Sequence, residues 1–237
     1  MRLGAVILVC YVMACISCPT SCFAQDREMT VGFQLKPIFR NEFFNSGNVS
    51  YSENNVSYTV DPRVGFSGGM IIRSDFGKRF SFETGINYVR RNYTLLVSDP
   101  DSSFNESMNF GVVEYEIPLS FLVYVRLADR IYMNNSVGIG FNMFKRSEVD
   151  QGEYIKSVFS RSTWIIPGMI ANVGCEYRST SSGNFYIGGS YQLPFAKILT
   201  MMVDYDRGNS IESVDYKLSL GYFAFDFKYF FPVNADN

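Results

Sequence analysis

The chain has 237 residues, with 21 lysines and arginines against 23 aspartates and glutamates, and no histidine. Because there is no basic excess, we expect no nucleic-acid partner. The absence of histidine excludes Ser–His–Asp catalytic triads and metal sites built on imidazole.

Residues 1–24 have the pattern of a secretory signal peptide. Arg2 supplies the positive charge, a short apolar segment follows, and Cys22 and Ala24 place small residues before a cleavage point. We predict cleavage after Ala24 and a single domain over 25–237. An uncleaved membrane anchor and a lipoprotein remain open as alternatives. Cleavage would leave Cys175 as the one remaining cysteine, so the mature chain has no internal disulfide framework.

Alternation of apolar and polar residues recurs in eight later segments. Side chains alternate across a strand, so each segment has one apolar face and one polar face. Segment 131–145 is the clearest, because its odd positions are mostly apolar and its even positions are mostly small, polar or glycine. No later segment has about 18 consecutive apolar residues, so no transmembrane helix is predicted. The predicted strands are 30–39, 64–73, 79–96, 109–127, 131–145, 164–177, 184–195 and 213–231.

The polar faces are rich in glycine and small residues, which suits the inside of a narrow barrel. The apolar faces are therefore predicted to point outward, toward lipid. Strands can cross hydrocarbon only if their sheet closes without an edge. The predicted fold class is all-β, an eight-stranded antiparallel up-and-down transmembrane β-barrel. The 22 phenylalanines and 16 tyrosines suit strands and the aromatic girdles of such barrels.

The last predicted strand changes phase. Its apolar residues occupy even positions up to Tyr222 and odd positions from Phe223 onward. A slip of one residue sends every later side chain to the opposite face. We therefore predict a β-bulge at 221–223.

Long and short connections alternate along the chain, which places all the long ones at one end of the barrel. Outer-membrane barrels have this layout, with short periplasmic turns and long external loops. It predicts a barrel in the lipid of a bacterial outer membrane, with both termini in the periplasm. We also expect a monomer. Loops on a rigid scaffold often carry function. The candidate surfaces for a protein or glycan partner are the loops 40–63, 98–107, 146–161 and 196–212.

Charged side chains of both signs fall on the predicted inner face. Isolated buried charges are costly, so these groups should pair with one another as a structural network. Glu114 and Glu116 lie on one face of one strand, about 6.5–7 Å apart. This spacing would also suit carboxylate chemistry on glycosides, so an outer-membrane enzyme is an alternative. No catalytic, cofactor or metal site is otherwise predicted. The predicted lumen residues are Lys36, Glu83, Glu114, Glu116, Arg126, Glu176 and Arg178.

Three stretches together resemble the PorT-like outer-membrane β-barrel family. They are the glycine-rich segment 64–70, the segment 79–88 and the Tyr-Glu-Ile-Pro-Leu run at 115–119. The resemblance implies an eight-stranded barrel in an outer membrane, generally without a known catalytic role. The namesake of the family is associated with protein secretion, but no residue here matches a motif that carries that role.

These observations predict an integral outer-membrane β-barrel that is not an enzyme and acts as a structural or interaction protein through its exposed loops. A second class of function remains open. A soluble lipocalin-like carrier of a small apolar ligand would also be a β-barrel, but its apolar face would point inward.

Overall fold

The computed structural model describes residues 29–40, 48–102, 104–144, 148–151, 155–161, 163–197, 199–206, 211–218 and 221–232. The predicted signal peptide lies outside these residues. Within them, no helix is long and apolar enough to cross a membrane. The strands are β1 (Met29–Phe39), β2 (Val49–Glu53), β3 (Val56–Asp75), β4 (Phe80–Asp99), β5 (Phe104–Ala128), β6 (Ile131–Phe144), β7 (Glu148–Gln151), β8 (Ile155–Arg161), β9 (Ile165–Arg178), β10 (Asn184–Pro194), β11 (Leu199–Asp206), β12 (Ile211–Leu218) and β13 (Tyr222–Phe230).

Eight of these strands close into a ring. Their order is β1-β13-β10-β9-β6-β5-β4-β3, and β3 pairs back onto β1. Gly32 of β1 lies opposite Phe230 on one side and Ile71 on the other, in antiparallel register on both sides. The first strand therefore has no open edge, and the predicted eight-stranded antiparallel barrel is confirmed.

The two faces of the ring strands point as the alternation predicts. On β5, Tyr115 and Phe121 face outward and are 48% and 43% exposed, whereas Glu114 is fully buried. Outward aromatic rings meet across strands at both ends of the barrel. The ring centroids of Phe33 and Phe231 are 5.6 Å apart near the short turns.

Three short turns lie at one end of the ring, as predicted. They join β3 to β4, β5 to β6 and β9 to β10. Gly77, Arg130 and Gly183 lie in these turns with φ values of 82°, 75° and 81°. The left-handed backbone is easily adopted by glycine, which explains the glycines in the first and third turns.

The long connections are largely folded, which corrects their interpretation as loops. Loop 40–63 contains the β2–β3 hairpin, whose turn residues Asn54 and Asn55 have φ values of 49° and 66°. Two consecutive left-handed residues form the tight turn that matches the twist of a hairpin. Loop 98–107 is likewise mostly strand, because β4 runs to Asp99 and β5 starts at Phe104. We call β2 and the long-connection ends of β3, β4 and β5 the extension.

The other two long connections form a separate four-stranded sheet with the order β12-β11-β8-β7. This arrangement corrects the prediction of a single strand over 213–231. Residues 211–218 belong to this sheet as β12, and the chain joins the ring only at Tyr222. The phase change near 221–223 thus marks passage from one sheet to another and is not a bulge within one strand.

The register shift in β3 lies between Arg63 and Phe66. Val60 before the shift and Ser67 after it are both buried, although one has an even and the other an odd number. The irregularity therefore preserves the inward face along a 20-residue strand.

The polarity of the faces reverses toward the long-connection end. On β5 the inward residue changes from the apolar Val112 to the acidic Glu114, both of them buried. The outward residue changes from Asn109 to Val113 over the same interval. The strands therefore have a polar inside and apolar outside in the ring, and the opposite arrangement in the extension.

Candidate functional site

The end of the lumen near the short turns is filled by a charge network around Arg73. Its Nη1 donates to Glu176 Oε2 at 2.7 Å, and its Nη2 donates to Glu83 Oε2 at 3.2 Å. Lys228 Nζ donates to the second oxygen of Glu83. Arg73 is only 1% exposed, so its charge is compensated by two carboxylates inside the protein and not by water.

Aromatic rings close this end of the lumen over the cations. The guanidinium carbon of Arg73 lies 3.6 Å from the ring centroid of Phe230. The guanidinium carbon of Arg178 lies 4.5 Å from the ring centroids of both Tyr124 and Tyr132. Its Nε donates to Glu176 Oε1 at 2.8 Å. Cation–π contacts of this kind gain strength where water is excluded.

A second group of polar side chains surrounds Asp226 in the middle of the barrel. Lys36 Nζ lies 3.9 Å from Asp226 Oδ2, and Ser190 Oγ donates to Asp226 Oδ1 at 2.6 Å. Asn172 donates to the same carboxylate and accepts from Tyr186 Oη. A Cβ on Gly188 would lie 2.0 Å from Tyr186 Oη, so this glycine makes room for the tyrosine.

The predicted carboxylate pair lies toward the long-connection end of the lumen. Arg91 Nη2 is 2.7 Å from Glu114 Oε2. Glu116 accepts from Asn87 Nδ2 at 2.9 Å and from Tyr222 Oη at 3.1 Å. Both carboxylates are 1% exposed or less, so they are held by protein groups in an enclosed interior.

The charges of the paired groups described above balance. Among the described residues these groups are five cations and five anions, and we call the ten side chains the lumen network. Within the described residues, no cluster of three or more histidine, cysteine, aspartate or glutamate side chains could hold a metal ion. The members of the lumen network are Lys36, Arg73, Arg91, Arg178, Lys228, Glu83, Glu114, Glu116, Glu176 and Asp226.

Arg126 is the one predicted lumen residue that the structure places elsewhere. Its side chain is 63% exposed and its Nη2 pairs with Asp129 Oδ1 in the adjoining turn. The β5–β6 register shifts between Arg126 and Ala128, so the strand no longer follows the regular alternation at this point. Of the six other predicted residues, five are buried in the lumen and Arg178 lies at its mouth.

Four charged members of the network were missing from the sequence-based set. Arg73 and Arg91 follow in phase from the small inward residues of their strands, so continuing the alternation would have found them. Asp226 and Lys228 alternate with the outward aromatics of β13 and carry the same signal. The buried amides and tyrosines around the network, such as Asn87 and Tyr222, had no distinguishing signal, because such residues also occur on outward faces.

A second, apolar cluster fills the interior beyond the lumen network. Its members come from ring strands, from the extension and from β11 of the four-stranded sheet, and they are 0–7% exposed. We call this cluster the apolar cap. It consists of Val56, Tyr58, Val60, Tyr93, Leu95, Val97, Phe110, Val112, Phe144, Ile166, Met201 and Val203.

Comparison with known proteins identifies the kind of barrel. A family model described as an outer membrane protein beta-barrel domain matches residues 23–208. The chain belongs to this family. No curated protein matches it.

Among solved structures, the fold of this chain is similar to that in the crystal structure of the outer membrane protein OprG from Pseudomonas aeruginosa. The two share 11% identity and a TM-score of 0.52, over 86% of this chain and 95% of OprG. A second match is the outer membrane protease OmpT from Escherichia coli. It shares 9% identity with this chain, over 87% of this chain and 95% of OmpT, and its TM-score of 0.38 is too low to support a comparison of the two folds.

Membership of this family places the chain in the bacterial outer membrane. The outward apolar residues of β5 from Val113 to Val125 therefore meet lipid. Thirteen residues of a tilted strand cover roughly 30 Å along the membrane normal, which suits the apolar band of such barrels. A soluble carrier needs the opposite orientation of the faces, so that alternative is wrong.

Proposed function

We propose that this protein is a non-conducting, non-enzymatic outer-membrane barrel that displays a folded β-structure to a partner outside the membrane. The observation that carries this proposal is the apolar cap. Leu95, Val97 and Met201 are fully buried in it, so the described parts of the long connections that contribute to the cap pack over the interior of the barrel. A side-chain-filled lumen beneath an apolar cap supports an anchoring role and not transport.

The extension suits contact with a protein or a glycan. Many of its outward side chains are small and polar, as at Thr59, Asn105 and Ser107, with exposed apolar residues such as Tyr51 among them, while its inward apolar side chains form the cap. A rigid sheet presents such groups at fixed positions, which reduces the entropy lost on binding. We also propose that the protein is a PorT-like member of the family, because the three stretches 64–70, 79–88 and 115–119 resemble that group. This assignment would link the protein to protein secretion.

The absence of an enzyme function is part of the proposal. Glu114 and Glu116 are the candidate catalytic pair, but their oxygens face Arg91, Asn87 and Tyr222 inside the barrel. A catalytic carboxylate must reach a substrate, and these two are enclosed. Their contacts support a structural role.

We propose that the long connections face the exterior and the termini the periplasm. In a Cys175→Ser background, Pro100→Cys at the β4–β5 turn should react with a membrane-impermeant maleimide on intact cells. Ser182→Cys at the β9–β10 turn should react only after the outer membrane is permeabilised. Both positions are exposed, so access to the reagent alone distinguishes them.

The same two cysteines test the display role. A photo-crosslinker attached at position 100 should give a discrete adduct with an external protein or glycan, whereas the adduct should be missing at position 182. Labelling of Ser182→Cys on intact cells would contradict the orientation. Equal crosslinking from both ends, or none from position 100, would contradict display by the extension.

A further inference from the structure

A polar recess of about 810 Å³ lies on the outer surface of β3, β4 and β5, away from the lumen network. It is located where the outward face changes from apolar to polar. Val64, Tyr88 and Val113 line its apolar side, and Asn92 and Asn109 line its polar side. In a membrane barrel this change marks the boundary between hydrocarbon and headgroups. The recess therefore opens at the level of the lipid headgroups.

Two arginines dominate the charge of this recess. Arg63 Nη1 donates to Asn109 Oδ1 at 3.0 Å, and Arg90 Nε lies 3.4 Å from Asn92 Oδ1. Both arginines are exposed, and within the described residues neither forms an ion pair with a carboxylate.

The nearby acid is already neutralised. Asp61 accepts from Arg40 Nη1 at 2.9 Å. Each guanidinium of the recess has five N–H donors and uses one of them on an asparagine oxygen. The recess thus holds two exposed positive charges, and the hydrogen bonds to Asn109 and Asn92 occupy one donor of each.

The floor of the recess is open because of a glycine. A Cβ on Gly111 would lie 3.6 Å from Asn92 Oδ1 and 3.8 Å from Arg90 Nε. These are ordinary contact distances, so a side chain would fit at this position without disturbing the backbone. A larger side chain would occupy space beside both arginine-bearing strands.

We propose that this recess binds the phosphate of an anionic membrane lipid headgroup. Arg63 and Arg90 would hold the phosphate oxygens through paired N–H donors, the geometry in which guanidinium groups bind phosphate best. The acyl chains would follow the apolar outward residues below Tyr88. Tyr88 and Tyr115, with ring centroids 5.9 Å apart, provide the aromatic border expected at the interface.

Native mass spectrometry of the folded protein in an uncharged detergent tests the proposal. The probes are lipid A and phosphatidylglycerol, which carry phosphate, and diacylglycerol, which does not. We expect retention of one phosphorylated lipid. Arg63→Gln and Arg90→Gln should each weaken binding roughly tenfold, since each removes charge-assisted hydrogen bonds. Lys197→Gln removes a charge at the same end of the barrel, outside the recess, and should leave binding unchanged.

Gly111→Leu separates shape from charge. It should weaken lipid binding by filling the recess while both arginines remain, and heat-modifiable migration on a gel will report whether each variant folds. Retention of either phosphorylated lipid supports the proposal. The lipid that binds more tightly identifies the leaflet of the membrane in which the recess lies. Unchanged binding in the folded double arginine variant would overturn it. Displacement of the lipid by millimolar inorganic phosphate would also overturn it, because the site would then select a free anion.

Discussion

Glu83→Gln should lower the free energy of unfolding by about 3–5 kcal/mol, the cost of removing one partner from a buried ion pair. Glu83 contacts both Arg73 and Lys228, and all three side chains are at most 7% exposed. Glutamine keeps the shape but removes the negative charge, so the balanced lumen network becomes one cation in excess. The uncompensated charge cannot reach water in a lumen filled by side chains.

Urea unfolding in lipid vesicles, followed by the fluorescence of the single tryptophan Trp164, measures this effect. Arg126→Gln is the matched control, because Arg126 was also predicted to face the lumen but lies in an exposed pair with Asp129. Exposed pairs contribute less than about 1 kcal/mol, so this variant should unfold almost as the parent does. Equal losses for the two variants would contradict the burial of the network.

Leu95→Ala should destabilise the apolar cap by about 2–5 kcal/mol, through lost burial and the cavity left behind. Leu95 is fully buried and lies opposite Val60 across the β3–β4 ladder. The extension has few contacts apart from the cap and its strand ladders, so we expect its hairpins to open before the ring does. Faster proteolysis within 48–62 or 92–110, with the ring still heat-modifiable, would report this local opening.

Leu96→Ala is the control for this substitution. It removes the same number of atoms from the next residue of the same strand, but Leu96 points outward and is 37% exposed. Much faster proteolysis of Leu95→Ala than of Leu96→Ala would show that the cap has a defined inward face. Similar protease sensitivity for the two variants would mean that the cap is not packed as described.

The ring could be predicted from sequence because two signals agreed along most of its length. Outward apolar positions alternated with small inward ones, and short turns such as the one around Gly77 separated paired strands. Hydrocarbon leaves closed sheets and helices as the possible solutions, so alternation was enough to choose the barrel. The β1–β3 pairing that closes the ring then follows from the absence of an edge.

The folded long connections could not be predicted in the same way. Their alternation has the same period but the opposite sense, with apolar side chains inside and polar ones facing water. Serines and asparagines around Tyr51 and Tyr58 are also typical of loops, so the segment 40–63 was interpreted as one. The Asn54-Asn55 pair was a usable hairpin signal, because asparagine tolerates the left-handed backbone of a two-residue turn.

The lumen network shows how much of a site can be predicted from the alternation of side chains along a strand. Inward phase identifies Glu83, Glu116 and Glu176 as buried, but not which cation each meets. Arg73 bonds to Glu176, which is 103 residues away in the sequence, across the closed ring. Such partners depend on strand order, register and tilt together, which the pattern within one strand does not contain.

The central claim is that side chains fill the interior of the barrel. The most direct test of this claim is the conductance of the protein in a planar lipid bilayer. We predict that the folded protein inserts and gives no stepwise current, because among the described residues the buried side chains of the lumen network and the apolar cap fill the interior. Insertion is verified independently by heat-modifiable migration of protein recovered from the same vesicles. Stable, ohmic single-channel steps from the unmodified protein would contradict the account, since they require an open lumen through both the network and the cap.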